Sequence, residues 1–481
     1  MPSIKRNIIY KLLYEILVIA TPFITIPYVS RIFGAEGIGI YSYSQSCITY
    51  FTMFAILGTN IYGVREIARC RSNKKKYSNL FWEIEILTII TSSICLLLWV
   101  LIILFSTKYQ FYFLALIPVL FSTLFDISWF FTGLERVGYT VILNALCKII
   151  GTVLIFLLIK VKEDLVTYIL LNSLTLMLGN LTMWLFLPKF LTKTFFKFVN
   201  IWNHFKKSLI YFIPTIAIAI YSVLDKTLIG LITDDSYQNG FYEQATKVIG
   251  IANTFSFIAL NSVMTARLSY LFSEHKFDEA KSKITISMGM ILFLATASMF
   301  GIIGIAPKFV PFFFGNGYEP VVILLYLMSP LIVIIGISNC IGCQYYTAIG
   351  KTKNASYYMI IGSIVNLVLN LTLIPFFGAK GAVIGSIGAE MVITLLFVHF
   401  DEKYLTWMSL LKIGYKKVIA GFIMVLIIRF SSQWLTFSEI SSLCLQVFLG
   451  FLTYILVLVF LKDSTIQILF SLLSKFTGYQ K

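Results

Sequence analysis

The sequence predicts an all-α, polytopic membrane protein of about 14 transmembrane helices, organised as two pseudo-symmetric six-helix lobes plus a C-terminal helix pair. Three observations predict it. Of 481 residues, 58% are hydrophobic and 12% charged, whereas soluble domains average roughly 45–50% and roughly 25%. Apolar runs of about 20 residues, long enough to cross about 30 Å of hydrocarbon as a helix, follow one another along the chain. Lysine and arginine collect in alternate connections between those runs. So little polar surface excludes a water-soluble enzyme, a disordered regulator and a disulfide scaffold.

The first lobe takes spans near 8–31, 38–62, 80–105, 111–133, 139–160 and 165–187. Spans near 208–232, 240–268, 284–306, 320–349, 355–375 and 381–401 form the second, and the last pair lies near 418–432 and 442–462. The corresponding domains are 1–205, 206–405 and 406–481, the long basic connection 188–207 marking the first boundary. Each half opens on a proline-bearing span, with Pro22 and Pro27 in one and Pro214 in the other. After the prolines come a cation (Arg31, Lys226), a glycine (Gly34, Gly230) and a Gly-x-Tyr (Gly39 to Tyr41, Gly240 to Tyr242). Interrupted helices at corresponding positions of two halves point to a transport pathway, so the three prolines are candidate hinges. An even number of spans per half sets the lobes in the same orientation, related by an axis along the membrane normal.

Charge fixes the expected topology. Arg65, Arg69, Arg71, Lys74, Lys75 and Lys76 lie on one side, with Lys189, Lys206, Lys207, Lys281, Lys283, Lys351, Lys353, Lys412, Lys416 and Lys417. The opposite connections hold strays such as Lys108, Lys162, Lys308 and Lys380, and one reads Asp234-Asp235. Both termini are therefore expected in the cytoplasm. Most of the net charge of +16 is a topology signal, so the bilayer, and not nucleic acid, is the expected partner.

Seven cysteines, an odd count mostly in apolar runs, make no disulfide framework. Cys340 and Cys343 form a CxxC in an apolar stretch without a nearby histidine, and His204, His275 and His399 are far apart. Neither a metal nor a cofactor is expected. Gly350-Lys351-Thr352 ends like a phosphate loop, but Tyr345 stands where the earlier glycine is required, so ATP hydrolysis by that route is excluded. Uphill work must then draw on an ion gradient, the membrane potential or a substrate gradient.

The run Pro27-Tyr28-Val29-Ser30-Arg31-Ile32-Phe33-Gly34-Ala35-Glu36-Gly37-Ile38-Gly39 resembles the first-span signature of Wzx-type polysaccharide (O-antigen or capsule repeat-unit) flippases. Gly63-Val64-Arg65-Glu66-Ile67-Ala68, Asp126-Ile127-Ser128-Trp129-Phe130-Phe131-Thr132-Gly133, Leu224-Asp225-Lys226-Thr227 and Gly240-Phe241-Tyr242-Glu243-Gln244-Ala245 extend the likeness, with Asn366, Asn370, Pro375 and Glu390 later. It runs from about residue 7 to about 400. Those flippases belong to the multidrug/oligosaccharidyl-lipid/polysaccharide exporter superfamily. The resemblance implies a V-shaped exporter fold and no enzymatic activity. Its cargo would be an undecaprenyl-pyrophosphate-linked oligosaccharide, moved from the inner to the outer leaflet of a bacterial plasma membrane by alternating access, with polysaccharide polymerase and chain-length machinery as further partners. A lipid-linked peptidoglycan-precursor flippase, a cation-coupled drug exporter and, in another class, a membrane polysaccharide polymerase are the competing readings. The polymerase usually needs a sizeable outer loop, and the outer connections here are short.

Such a cargo joins a lipid tail, an anionic pyrophosphate and a glycan. A bare anion in hydrocarbon is costly, so fixed cations must face a wet cavity. Arg31, Lys148, Lys226 and Arg267 are the expected phosphate and glycan cations. Glu15, Asp126, Asp225 and Glu390 are the expected proton or ion-coupling acids. Lys148 and Asp126 fall at similar depth when their spans form an antiparallel hairpin, as an ion pair or as a lumen-facing site. Lys11 and Glu15, and Glu243 and Lys247, are spaced to share a helix face.

Overall fold

The computed structural model describes residues 4–192, 200–400, 404–434 and 438–476. Within these helices the side chains of residues 4–9, 11, 12, 15, 19, 213–222, 432–434 and 472–476 are outside the description. The expected coupling acid Glu15 and the expected hinge Pro214 are therefore not described as side chains.

Among the described residues the regular structure is entirely helical, and the chain divides into two compact units, Met1–Gly230 and Leu231–Lys481. The first holds α1 (Ile4–Ile56), α2 (Thr59–Cys70), α3 (Lys74–Phe105), α4 (Gln110–Ala115), α5 (Ile117–Leu124), α6 (Ser128–Gly133), α7 (Val137–Leu158) and α8 (Leu165–Met183). It also holds all but the last turn of α9 (Ile201–Thr233). Drawn from charge alone, the boundary fell at 205/206; by contacts it falls at Gly230. The reason is visible at Gly58, where a Cβ would lie 2.8 Å from the Phe212 backbone nitrogen and the Ser208 carbonyl. At Gly230 a Cβ would meet the Tyr43 ring at 2.2 Å. Bare glycines let α9 lie directly on α1 and α2.

In the second unit are α10 (Ser236–Asn253), α11 (Ala259–Ser273), α12 (Phe277–Phe314), α13 (Glu319–Met328) and α14 (Pro330–Ile341). After them come α15 (Thr352–Phe377), α16 (Ala379–His399), α17 (Trp407–Trp434), α18 (Glu439–Phe460) and α19 (Ser464–Phe476). Single π-helical turns, Thr254–Ile258 and Gly342–Thr347, join α10 to α11 and extend α14.

Eleven helical stretches of the described residues are long and apolar enough to cross a membrane. That is fewer than the expected fourteen. One of the eleven, Ile16–Cys70, takes in two of the expected spans. Gly34 divides it: at φ 64° and ψ −179° it occupies a backbone region almost reserved for glycine. Pro22 and Pro27 lie inside α1 ahead of this break, and each removes one amide from the helical ladder.

The helices are apolar on their outer faces as well as inside. Phe105 is 86% exposed and Phe460 85%, which fits a hydrocarbon surround better than water. In the first unit, Val29, Phe33 and Ile48 of α1 pack with Trp99 of α3, Leu120 of α5, Ile155 of α7 and Ile169 of α8. A second cluster joins Tyr62 of α2, Phe81 of α3 and Trp129, Phe130 and Phe131 of α6. In the second unit α12 is central, packing Ile284, Met288 and Ile291 against Cys340 and Ile341 of α14. Its Phe293 packs with Met424 of α17 and Tyr454 of α18.

Candidate functional site

The first unit holds a partly open cavity of about 350 Å³ between α1, α7 and α8. Helical spacing builds its wall. Tyr14, Thr21 and Thr25 fall on one face of α1, Asn144, Lys148, Thr152 and Ile155 on one face of α7, and Tyr168, Asn172, Thr175 and Asn180 on one side of α8. Two glycines hold α7 and α8 close: a Cβ on Gly151 would lie 2.3 Å from Thr175 Oγ1, and one on Gly179 would lie 2.6 Å from Asn144 Oδ1.

The hydroxyls and amides of this wall are largely tied to backbone carbonyls, most of them of their own helix. Thr21 donates to the Leu17 carbonyl at 2.7 Å, Thr152 to that of Lys148 at 2.8 Å and Thr175 to that of Leu171 at 2.7 Å. Asn172 Nδ2 donates to the Tyr168 carbonyl at 2.9 Å and Asn180 Nδ2 to that of Ser122 at 2.9 Å. Among the described residues no carboxylate lines the cavity, and Lys148 makes no ion pair there. A half-buried ammonium thus faces hydroxyl and amide groups, with no counter-charge among the described residues. That chemistry suits an anionic ligand carrying hydroxyl groups, such as a phosphorylated sugar.

The hairpin does not bring Asp126 to Lys148. Asp126 instead accepts from Asn60 Nδ2 at 3.3 Å and from the Ser128 backbone amide at 2.9 Å, at the start of α6. Of the other expected cations, Arg31 is exposed on α1, three residues before the Gly34 break. Lys226 is half-buried on α9, one position from the buried Asp225. Thr227 on the next position donates to Ser46 Oγ of α1 at 2.9 Å. Arg267 is exposed on α11; its Nη2 lies 3.5 Å from Glu279 Oε1 and its guanidinium stands 5.4 Å from the Tyr270 ring. Glu390 is buried on α16, which crosses α15 where a Cβ on Gly381 would lie 2.5 Å from the Leu373 carbonyl. Glu243 and Lys247 pair at 3.2 Å along α10.

Several polar groups were not picked out from the sequence. Glu83 Oε2 lies 2.9 Å from His204 Nε2, and His204 Nδ1 lies 2.6 Å from Tyr62 Oη, a chain linking α3, α9 and α2. Gln344 Nε2 donates to Asn261 Oδ1 and to Ser287 Oγ, each at 2.7 Å, inside the second unit. Glu85 is fully buried on α3. The signal for the cavity wall was present: Asn144 with Lys148, and Tyr168 with Asn172 and Thr175, repeat at helical spacing. Tested charge by charge, however, such a polar stripe goes unseen.

Residues 4–272 match the family model described as "Polysaccharide biosynthesis protein". A protein of Escherichia coli (strain K12) named "Putative O-antigen transporter" is 25% identical over 405 residues, covering 83% of this chain and 96% of that protein. A glycan biosynthesis flippase by name, from Haloferax volcanii, is 23% identical over 259 residues, 53% of each chain. Among solved structures, the lipid II flippase MurJ in an inward closed conformation superposes with a TM-score of 0.74 at 16% identity, covering 94% of this chain and 99% of that one. The match to the family model, spanning more than half of the chain, establishes that the chain belongs to the polysaccharide biosynthesis protein family, and the superposition shows that it shares the fold of that flippase.

Proposed function

We propose that this chain flips a lipid-linked oligosaccharide, an undecaprenyl-pyrophosphate-linked repeat unit, from the inner to the outer leaflet of a bacterial plasma membrane. The single observation that carries the reading is the Lys148 cavity, with one cation, no described carboxylate and a wall of amides and hydroxyls. A drug exporter for organic cations calls for the opposite charge. The family's name points to polysaccharide biosynthesis and the names of its relatives to glycan transport. In this reading Lys148, with Arg31, Lys226 and Arg267, guides the phosphate and glycan. Glu15, Asp126, Asp225 and Glu390 couple the movement to an ion gradient or to the membrane potential. Pro22, Pro27 and Pro214 supply hinges for alternating access. Both termini face the cytoplasm, where the inner connections are basic, and a polymerase with its chain-length machinery takes the cargo up on the outer side.

Deletion of the gene with a leaflet-resolved assay of lipid-linked oligosaccharide tests the proposal. Accumulation on the cytoplasmic face is expected. Outer-face accumulation of unpolymerised units would instead assign the chain to polymerisation, and arrest of cell-wall synthesis would assign it to peptidoglycan precursors.

A further inference from the structure

Two prolines, Pro307 and Pro311, stand inside α12, the central helix of the second unit. A proline has no backbone amide, so the carbonyl four residues before it loses its usual helical donor. For Pro307 that carbonyl belongs to Ile303. In hydrocarbon an unsatisfied carbonyl is costly, and a neighbouring helix has to supply the missing donor.

α17 supplies it. Arg429 Nη2 donates to the Ile303 carbonyl at 3.0 Å. The same nitrogen donates to Tyr326 Oη of α13, and the guanidinium stands 5.4 Å from the Tyr326 ring centre. An arginine within a span is itself costly unless its N–H groups are engaged. Here the two costs offset each other.

Glycines bring the partners together. A Cβ on Gly304 of α12 would lie 2.9 Å from Ile428 Cδ1, and one on Gly450 of α18 would lie 2.6 Å from the same atom. Ile428 of α17 is thereby wedged between α12 and α18. Its neighbour Arg429 then meets Ile303, the neighbour of Gly304. Beyond Pro307 the helix runs only to Phe314, where Gly315 ends it at φ 95°. In that last stretch Lys308 Nζ donates to Ser442 Oγ of α18 at 3.1 Å.

We propose that Pro307 is a hinge of α12 and that Arg429 is the latch holding it shut. The guanidinium takes the place of the ladder bond that Pro307 removes. With the latch engaged, the end of α12 is fixed to α13 and α17. With it withdrawn, the Ile303 carbonyl is freed and α12 bends at Pro307. Use of this hinge to move cargo rests on the flippase reading; the latch itself does not.

The full-length protein in lipid nanodiscs is followed by hydrogen exchange of the peptides covering residues 300–314. Arg429→Met is expected to speed exchange there by at least about tenfold, the loss of one bond from a charged donor, while α15 and α16 keep their native rates. Pro307→Ala gives Ile303 back its amide. In that background Arg429→Met should leave exchange where Pro307→Ala alone puts it. Tyr326→Phe should give a smaller rise, because it removes one anchor of the guanidinium and no charge. An unchanged rate in the folded Arg429→Met protein overturns the proposal. So does an equal rise with and without Pro307, which would assign Arg429 to packing or to lipid. Should Arg429→Met fail to fold, its recovery in the Pro307→Ala background supports the latch, and failure in both backgrounds overturns it. If the exchange behaves as expected while deletion of the gene leaves glycan flipping intact, the latch stands and the flippase reading falls.

Discussion

His204 of α9 bridges Tyr62 of α2 and Glu83 of α3, with its two ring nitrogens 2.6 Å and 2.9 Å from their oxygens. Asn200 Nδ2 reaches the other Glu83 oxygen at 3.1 Å. Removing the imidazole strands two partly buried polar groups. His204→Ala should therefore lower stability by about 2–4 kcal/mol, and Tyr62→Phe by about 1 kcal/mol, because buried groups left unpaired cost more than the bond itself. Thermal unfolding of the detergent-solubilised protein checks both; equal midpoints for the two variants would contradict the bridge.

Lys148 decides the character of its cavity. Loss of a charge-assisted contact to an anion costs about 1.5–3 kcal/mol, which corresponds to roughly 10- to 150-fold weaker binding. Lys148→Met should therefore cut surface-polysaccharide export by at least an order of magnitude while the protein stays in the membrane. Lys148→Arg should keep a measurable part of it. Normal export from Lys148→Met would end the assignment of Lys148 to the cargo.

The contact of Gly151 with Thr175 predicts a rescue. Gly151→Ala would drive a Cβ to 2.3 Å from Thr175 Oγ1, and overpacking of this kind costs about 1–3 kcal/mol. Thr175→Ala removes the obstructing atoms, so the double variant should regain most of the loss. A double-mutant cycle by thermal unfolding measures the coupling.

Buried charge also fixes the C-terminal helices. Lys417 Nζ on α17 lies 3.0 Å and 3.3 Å from the Asp463 oxygens, and Asp463 caps α19 by accepting from the Thr465 amide at 2.9 Å. Both side chains are buried. Breaking one partner should cost about 3–5 kcal/mol, since the other charge is left unpaired. Lys417→Met is expected to unfold well below the native protein. Adding Asp463→Asn, which keeps the cap, should recover much of the difference.

Gly34 offers a test of backbone alone. Among the described residues, no atom beyond its own stretch of chain lies within 4 Å of a Cβ built there, so Gly34→Ala adds no clash with them. With φ at 64° and ψ at −179° it still adds strain, about 1–3 kcal/mol for such a conformation. Destabilisation without any rescue by trimming neighbours is the expected result.

The helical class, the membrane setting, a span boundary between residues 31 and 38 and the presence of an ammonium inside a span were legible in the sequence, because each follows from local composition or from one residue's own chemistry; that the boundary is a kink at Gly34 was not. Partner choice was not. These helices are apolar on nearly every face, so helical periodicity does not say which side meets protein and which meets lipid. Lys148 and Asp126 share a depth by counting, yet Lys148 turns to amides and hydroxyls of α1 and α8 while Asp126 turns to Asn60 and Ser128. Glu83 and Glu85 look alike in the chain, but α3 is rotated so that one meets His204 and the other is fully buried. The rotation of each helix about its own axis is set by close contacts such as Gly63 on Trp129 and Gly151 on Thr175. Only the packed structure holds those, and that rotation set Lys148 against a wall of hydroxyls and amides and turned Asp126 away from it.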